Sequence, residues 1–356
     1  MRLPALLLSA PLLLAMPALR AADLPQARFS HGDWELACDN TRTCRAAGYS
    51  PDGVELSVSV LLTRQAGPDQ SVTGQVKIGR YGENPVVDAL PKRFRLNLQI
   101  DGKAHGTVAF DADSLQGSLD ATQVSALLAA LTRRSRLEFV RNKHTWALSD
   151  SGAAAVLLKM DEFQGRLGTP GAIIRRGKRP ESGVLPSLPG LSVKPGPLAP
   201  ARAGDKDWVK QQGPALRKAL RAALRNDETD YCPDLTEPDP SIQEAPTATR
   251  LTDTRLLVAT RCWSGAYNVG YGYWIINQAP PYQPELVTTS GSEYQAGVLT
   301  ATQKGRGLGD CWSSDEWLWD GRNFVLTHST TTGMCRLIVP GGAWDLPTRV
   351  GLEGGE

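Results

Sequence analysis

Residues 309–321 read GDCWSSDEWLWDG, which gathers four carboxylates (Asp310, Asp315, Glu316, Asp320) and three indoles (Trp312, Trp317, Trp319) into thirteen positions. Paired carboxylates beside aromatic platforms suit glycoside hydrolysis, in which an acid and a base or nucleophile stand roughly 5–10 Å apart. The same side chains without that spacing suit glycan binding. A third reading is architectural. On a strand Trp317 and Trp319 turn to one face and become core, Asp320-Gly321 closes a hairpin, and Asp315 and Glu316 stay in water. Six of nine tryptophans and six of eight tyrosines lie from Tyr231 onward, Tyr271 and Tyr273 among them. Tyr and Trp offer large contact area with a polar tip. The candidate binding residues are therefore Trp312, Asp315, Glu316, Trp317, Trp319, Tyr271 and Tyr273, and the alternative is a hydrolase using Asp310, Asp315, Glu316 or Asp320.

Other chemistries find little support. The four histidines (His31, His105, His144, His328) form no close ligand pair, no Gly-x-Ser-x-Gly elbow occurs, and Gly305, Gly307 and Gly309 lack the Lys-Ser/Thr ending of a phosphate loop. No catalytic residue, metal or cofactor is assigned.

Six cysteines (Cys38, Cys44, Cys232, Cys262, Cys311, Cys335) with no Cys-x-x-Cys spacing point to three structural disulfides in an oxidising compartment. Residues 1–22 agree: Arg2 precedes an apolar Leu/Ala run that ends in small residues, the pattern of a signal peptide cut near Ala21 or Ala22. That predicts a periplasmic or secreted protein with no membrane span in its mature form. Losing Arg2 and Arg20 would leave 37 basic residues (39 less 2) against 37 acidic ones. A balanced chain without a basic stripe excludes nucleic acid as an expected partner and leaves an envelope protein or a glycan. The run Arg175-Arg176-Gly177-Lys178-Arg179 reads as a solvated charge cluster.

The elements that must position these residues divide at residues 177–206, where six prolines interrupt every period. The expected domains are 23–176, β-rich with two helices, and 207–356, a leading helix followed by a β-meander. The fold class is α+β, mostly antiparallel β, disulfide-stapled, with a few covering helices. In the first part, residues 34–39 and 43–48 form a hairpin that pairs Cys38 with Cys44. Residues 54–60 alternate as a strand, and 94–100 with 103–110 form a hairpin around Asp101-Gly102. Asp120 and Gln123 have capping-box spacing ahead of Val124, Leu127, Leu128 and Leu131, and a second helix starts at Ser149. In the second part, Leu216, Leu220 and Leu224 mark a helical stripe. Short strands are expected at 255–261, 271–276, 298–303, 317–319, 323–326 and 335–339. Local pairing favours Cys232 with Cys262 and Cys311 with Cys335 among 15 connectivities, each bridge stabilising by roughly 3 kcal/mol.

The segment from Cys38 to Tyr49 (CDNTRTCRAAGY) resembles the signature of an exported Gram-negative family, domain of unknown function 1176. Three later blocks resemble it too: Gln164-Gly165-Arg166-Leu167-Gly168-Thr169, Gly307-Leu308-Gly309-Asp310-Cys311, and Trp319-Asp320-Gly321 with Phe324. Trp312 stands where that pattern more usually has a small residue, and Leu337 where it more usually has Gly. The amino-terminal order of Trp34, two cysteines and an Ala-rich helix is also similar, more weakly, to invasion-associated locus B proteins. These resemblances imply an exported β-rich protein and carry over no catalytic residue. The functional expectation is a non-catalytic binding or interaction module for a protein or glycan partner.

Overall fold

The structure, a computed structural model, describes residues 24–225, 230–237 and 244–352. The expected signal peptide, residues 1–22, lies outside the described residues. Mostly antiparallel sheets build the protein, with few helices and three disulfides, Cys38–Cys44, Cys232–Cys262 and Cys311–Cys335.

Ten strands make the first sheet: β1 (Ala27–His31), β2 (Trp34–Cys38), β3 (Cys44–Tyr49), β4 (Val58–Arg64), β5 (Val72–Ile78), β6 (Arg93–Ile100), β7 (Lys103–Asp111), β8 (Gln116–Leu119), β9 (Leu137–Arg141) and β10 (His144–Leu148). Their spatial order is β1-β2-β3-β4-β5-β8-β7-β6-β9-β10. Strict alternation in β6 (exposed Arg93, buried Phe94, exposed Arg95, buried Leu96) turns one face to the core and the other to solvent. Beyond the four-residue helix α1 (Pro85–Asp88), helix α2 (Ala121–Leu131) covers the core face through Val124, Leu127 and Leu131, and its capping box forms as the spacing predicts. The next helix, α3 (Ala153–Phe163), begins at Ala153 rather than Ser149. Gly152 precedes it with φ 92, and a Cβ there would lie 1.7 Å from the His31 carbonyl oxygen, so only glycine admits this approach.

The alternating run 54–60 becomes strand only from Val58, because the Asp52-Gly53 turn delays pairing. From there β4 runs on to Arg64 in register with β5, Val58 opposite Ile78 and Arg64 opposite Val72.

Behind α3 a buried polar hub ties the family-like block 164–169 to the sheet. Arg166, 0% exposed, donates to the carbonyls of Gln65 (3.1 Å) and Gly67 (2.7 Å) and to Gln164 Oε1 (2.9 Å). Asp161 accepts from the N–H groups of Ile173 and Ile174 and lies 3.6 Å from Arg64. Burial first, and the neighbouring Arg166 next, push the Arg64 guanidinium down to about 10.

Residues 177–206 contain one 3-10 turn, Glu181–Gly183, and the first residues of the next helix, yet their backbone is anchored on both sides. Leu188 N–H donates to Thr41 O, Gly196 N–H to Trp319 O and Ala199 N–H to Leu251 O.

The carboxyl-terminal part holds a four-stranded meander, β11 (Thr247–Arg250), β12 (Arg255–Ser264), β13 (Val269–Asn277) and β14 (Glu285–Gly291). A five-stranded one follows, β15 (Glu293–Gln295), β16 (Val298–Lys304), β17 (Trp312–Trp319), β18 (Phe324–Thr331) and β19 (Leu346–Arg349). Helices α4 (Asp205–Ala222) and α5 (Pro233–Thr236) cover the outer face of the smaller sheet, where Val209, Leu216, Leu220 and Leu235 meet Leu256, Val258, Trp274 and Ile276. Its inner face (Leu257, Tyr273, Ile275) packs on Leu299 and Trp319 of the larger one. Strands buried on both faces read as continuous apolar runs, as in Leu256-Leu257-Val258 and Tyr273-Trp274-Ile275-Ile276.

Residues 335–339, expected as a strand, form none. Leu337 takes φ 52, a left-handed conformation that costs a non-glycine residue about 1–2 kcal/mol. Its N–H is held at 2.7 Å by buried Asp310. The turn lets Ile338, Ala343, Trp344 and Leu346 cover Ala37, Ala47, Tyr49 and Leu61 on the second face of the ten-stranded sheet. Polar contacts close this seam: Trp344 Nε1 donates to Ser59 Oγ (2.7 Å), and Glu35 Oε1 accepts from Tyr49 Oη (2.7 Å) and Met334 N (2.6 Å). Burial raises the Glu35 carboxyl above its usual range.

The Arg166 hub predicts a large stability loss on truncation. Arg166→Ala takes from Glu181 the arginine 3.7 Å away and removes the buried donors to the Gln65 and Gly67 carbonyls and to Gln164 Oε1, so urea unfolding should show a loss of about 3–5 kcal/mol at unchanged m-value. A loss under about 1 kcal/mol would show that the hub is dispensable.

Candidate functional site

The acidic-aromatic segment spans β17 and its flanks, and its side chains have separate jobs. Trp319 is 1% exposed and donates from Nε1 to Pro197 O (3.3 Å); Tyr273 is 8% exposed. Both lie in the core between the two meanders, with Trp317, Tyr271 and Phe324 packed against it, so burial removes Trp319 and Tyr273 as ligand contacts. Tyr271, at the margin, donates to Glu244 (3.4 Å). Trp312, half-buried, donates from Nε1 to Gly309 O (3.0 Å), and Lys304 Nζ sits 5.3 Å from its ring centroid.

The four carboxylates do not converge. Asp310 receives both prongs of Arg306 (2.7 and 2.6 Å) as well as the Leu337 N–H. Burial works to raise its carboxyl, but the Arg306 hydrogen bonds and the Leu337 N–H outweigh it and hold it below the usual range. Asp320 accepts from the N–H groups of Arg322 (2.7 Å) and Asn323 (2.6 Å) and closes the β17–β18 turn. Asp315 and Glu316 are strand neighbours that pair opposite Ser329 and His328, so they point to opposite faces of β17. No two of the four therefore stand as an acid and base across a shared cleft.

A cleft does open elsewhere in this half, between the first turns of α4 and the β13–β14 connection. Trp208 and Gln212, one helical turn apart on α4, face Thr254, Asn277, Gln278, Ala279 and Pro280 around a volume of about 500 Å³. Trp208 is half-buried and meets the Tyr282 ring edge-on, with centroids 6.1 Å apart and planes at 88°. Tyr282 Oη donates to Gln212 Oε1 (2.7 Å), which leaves the Gln212 amide hydrogens for the cleft. Asn277 Nδ2 donates to Pro281 O (3.2 Å) and Gln283 Oε1 (3.0 Å), which leaves Asn277 Oδ1 as an acceptor. The cleft thus offers an aromatic face, amide donors and an amide acceptor, and none of the described residues lining it is charged.

One ion pair sets its shape. Arg250, at the end of β11 and buried, pairs in two-pronged fashion with Asp205 in the first turn of α4. From Nη1 the same guanidinium donates to Gln278 Oε1 (3.1 Å) and Asp253 O (3.1 Å). Asp205 also accepts from Arg202 N–H (2.9 Å). A carboxylate at a helix start is further favoured by the helix dipole. One arginine therefore fixes both walls, the helix that carries Trp208 and the amide of Gln278. The Arg250 hydrogen bond holds the Asp205 carboxyl below the usual carboxylate range.

Sequence reasoning missed this cleft. Its two walls lie about 70 positions apart, and its amides Gln212, Asn277 and Gln278 are of a type that carries no motif.

The meander pair, the seam residues and, from Arg28 on, the ten-stranded sheet fall inside a family match over residues 28–351, to a protein of unknown function (DUF1176). The chain belongs to that family. It is similar to the uncharacterized protein YpfG of Escherichia coli (strain K12), 26% identical over 357 residues that cover 92% of each chain. No solved structure matches the chain. This match adds no support to the weaker resemblance to invasion-associated locus B proteins. Among the described residues no helix is long and apolar enough to cross a membrane.

Because the pair lowers the Asp205 carboxyl, its contribution is complete above the ordinary carboxylate value of about 4 and is lost as pH falls through the lower folded value. Asp205→Asn should therefore melt below wild type near neutrality, with the gap narrowing once pH drops below about 4. Thermal melts across this range check it; a gap that stays constant down to acid would contradict the assignment.

Proposed function

We propose that this protein is an exported, non-catalytic binding module of the periplasm or cell envelope, and that the Trp208 cleft takes a neutral sugar unit of a glycan partner. The observation that carries this reading is the cleft's composition: an indole face, amide donors and an acceptor, with no charged group among its described lining residues. A pyranose has one face of C–H groups that suits an aromatic surface and a rim of hydroxyls that both donate and accept. The same list supports binding rather than turnover, since most glycoside hydrolases use a pair of carboxyl groups flanking the bond. The carboxylates of 310–320 serve elsewhere, Asp310 and Asp320 as fasteners of turns. Export is supported by the three disulfides and by the pattern of residues 1–22.

Calorimetric titration with neutral tetrasaccharides (chitotetraose, cellotetraose, maltotetraose) tests the reading. At least one should bind saturably, with affinity about tenfold weaker in Trp208→Ala and largely kept in Trp208→Phe. Absence of saturable binding to all three, or equal affinity in wild type and Trp208→Ala, would overturn it.

A further inference from the structure

The solvent face of the ten-stranded sheet carries an independent feature. A concavity of about 860 Å³ lies over β6, β7 and β8 and the end of β9, and three arginines, Arg93, Arg95 and Arg141, line it. Arg93 and Arg95 stand at i and i+2 on the outward side of β6, so their Cα atoms are roughly 7 Å apart. Arg141, the last residue of β9, reaches across until Nη1 is 3.4 Å from Arg95 O. Arg95 Nη1 donates to Thr107 Oγ1 (3.1 Å).

None of the three has a carboxylate within ion-pair distance among the described residues, whereas Arg45, Arg64, Arg133, Arg166, Arg250 and Arg306 all do. The one acidic residue in the lining, Asp111, uses Oδ1 to hold the N–H groups of Asp113 (2.9 Å) and Ser114 (3.3 Å) in the β7–β8 turn. Asp111, opposite Arg93 on β7, offsets one of the three guanidinium charges and leaves a net positive charge, and an anion that enters balances this while taking up the free N–H forks. Guanidinium forks match phosphate oxygens in pairs, which a point charge such as lysine does not. A recessed site suits a discrete ligand better than a flat bilayer. Neither exposed apolar side chains nor aromatic tips rim the site as a membrane-inserting surface would require; Phe94 and Phe110 beneath it are buried and stacked at 5.2 Å.

We infer that this concavity is an anion site for a soluble ligand carrying two phosphate groups, held by Arg93, Arg95 and Arg141. It is separate from the Trp208 cleft and stands or falls independently of it.

Pyrophosphate is the probe, titrated by calorimetry into the full-length mature protein in roughly 0.1 M salt, where long-range attraction is screened. Saturable binding is expected, with Kd raised about tenfold or more in Arg93→Gln/Arg95→Gln. Arg141→Lys should weaken it although charge is kept, because the fork is lost. Arg93 and Arg95 are exposed and Arg141 is half-buried at the end of its strand, and circular dichroism and melting of the variants should match wild type. Four outcomes would overturn the proposal: no saturable binding, unchanged affinity in the double glutamine variant, equal affinity for citrate, or binding to anionic phosphatidylglycerol vesicles that pyrophosphate does not displace.

Discussion

The buried pair of Arg250 with Asp205 is the constraint on which the carboxyl-terminal half depends. Asp205 opens a helix whose apolar stripe has to land on β12 and β13, and Arg250 ends the strand beside them. Joined at a buried, two-pronged contact, these two residues fix where along the sheet the helix begins. Everything one turn further on inherits that position, including Trp208 and Gln212. The remaining guanidinium N–H groups then orient Gln278 on the facing wall. A surface ion pair would add little to stability. In the buried site the pair has a geometric consequence, since moving either partner leaves a desolvated charge behind.

The same device recurs through the chain. Arg166 fastens the segment after α3 to the end of β4, and Arg306 with Asp310 fastens the turn that carries Leu337. In each case an arginine reaches several acceptors from one planar group, which suits loops that must be held without regular secondary structure. The disulfides work alongside them. Cys232–Cys262 ties the short helix α5 to β12, and Cys311–Cys335 ties the start of β17 to the seam. The seam itself joins the two ends of the chain, because small Ala37 and Ala47 leave room on the second face of β2 and β3 for Trp344 and Ile338.

Local patterns announced much of this fold. The hairpin β6–β7, the capping box of α2 and the stripe of α4 each depend on neighbours in sequence, and each formed where its residues indicated, except that α4 ends at Ala222 and leaves Leu224 just beyond it. The strand expected at 335–339 failed because Leu337 adopts a glycine-like conformation that only a distant partner, Asp310, explains. The resemblance drawn from the sequence nonetheless marked this position, as one where Leu337 departs from an expected glycine. Among the aromatic candidates, i and i+2 spacing told that Trp317 and Trp319 share a face, but which face lies inward depends on the partner sheet. The Trp208 cleft left no trace in the sequence, because neutral amides become a site only when an ion pair elsewhere sets them opposite an indole.

The central claim is that the neutral cleft, rather than the acidic-aromatic strand, meets the ligand. Side-chain chemical-shift mapping by two-dimensional NMR during titration with the best-binding neutral oligosaccharide tests it most directly. The account predicts that the indole N–H of Trp208 and the side-chain amides of Gln212, Asn277 and Gln278 shift together along one saturating curve while Trp312 stays put. Shifts at Trp312 and its neighbours on β17, with Trp208 unmoved, would contradict it.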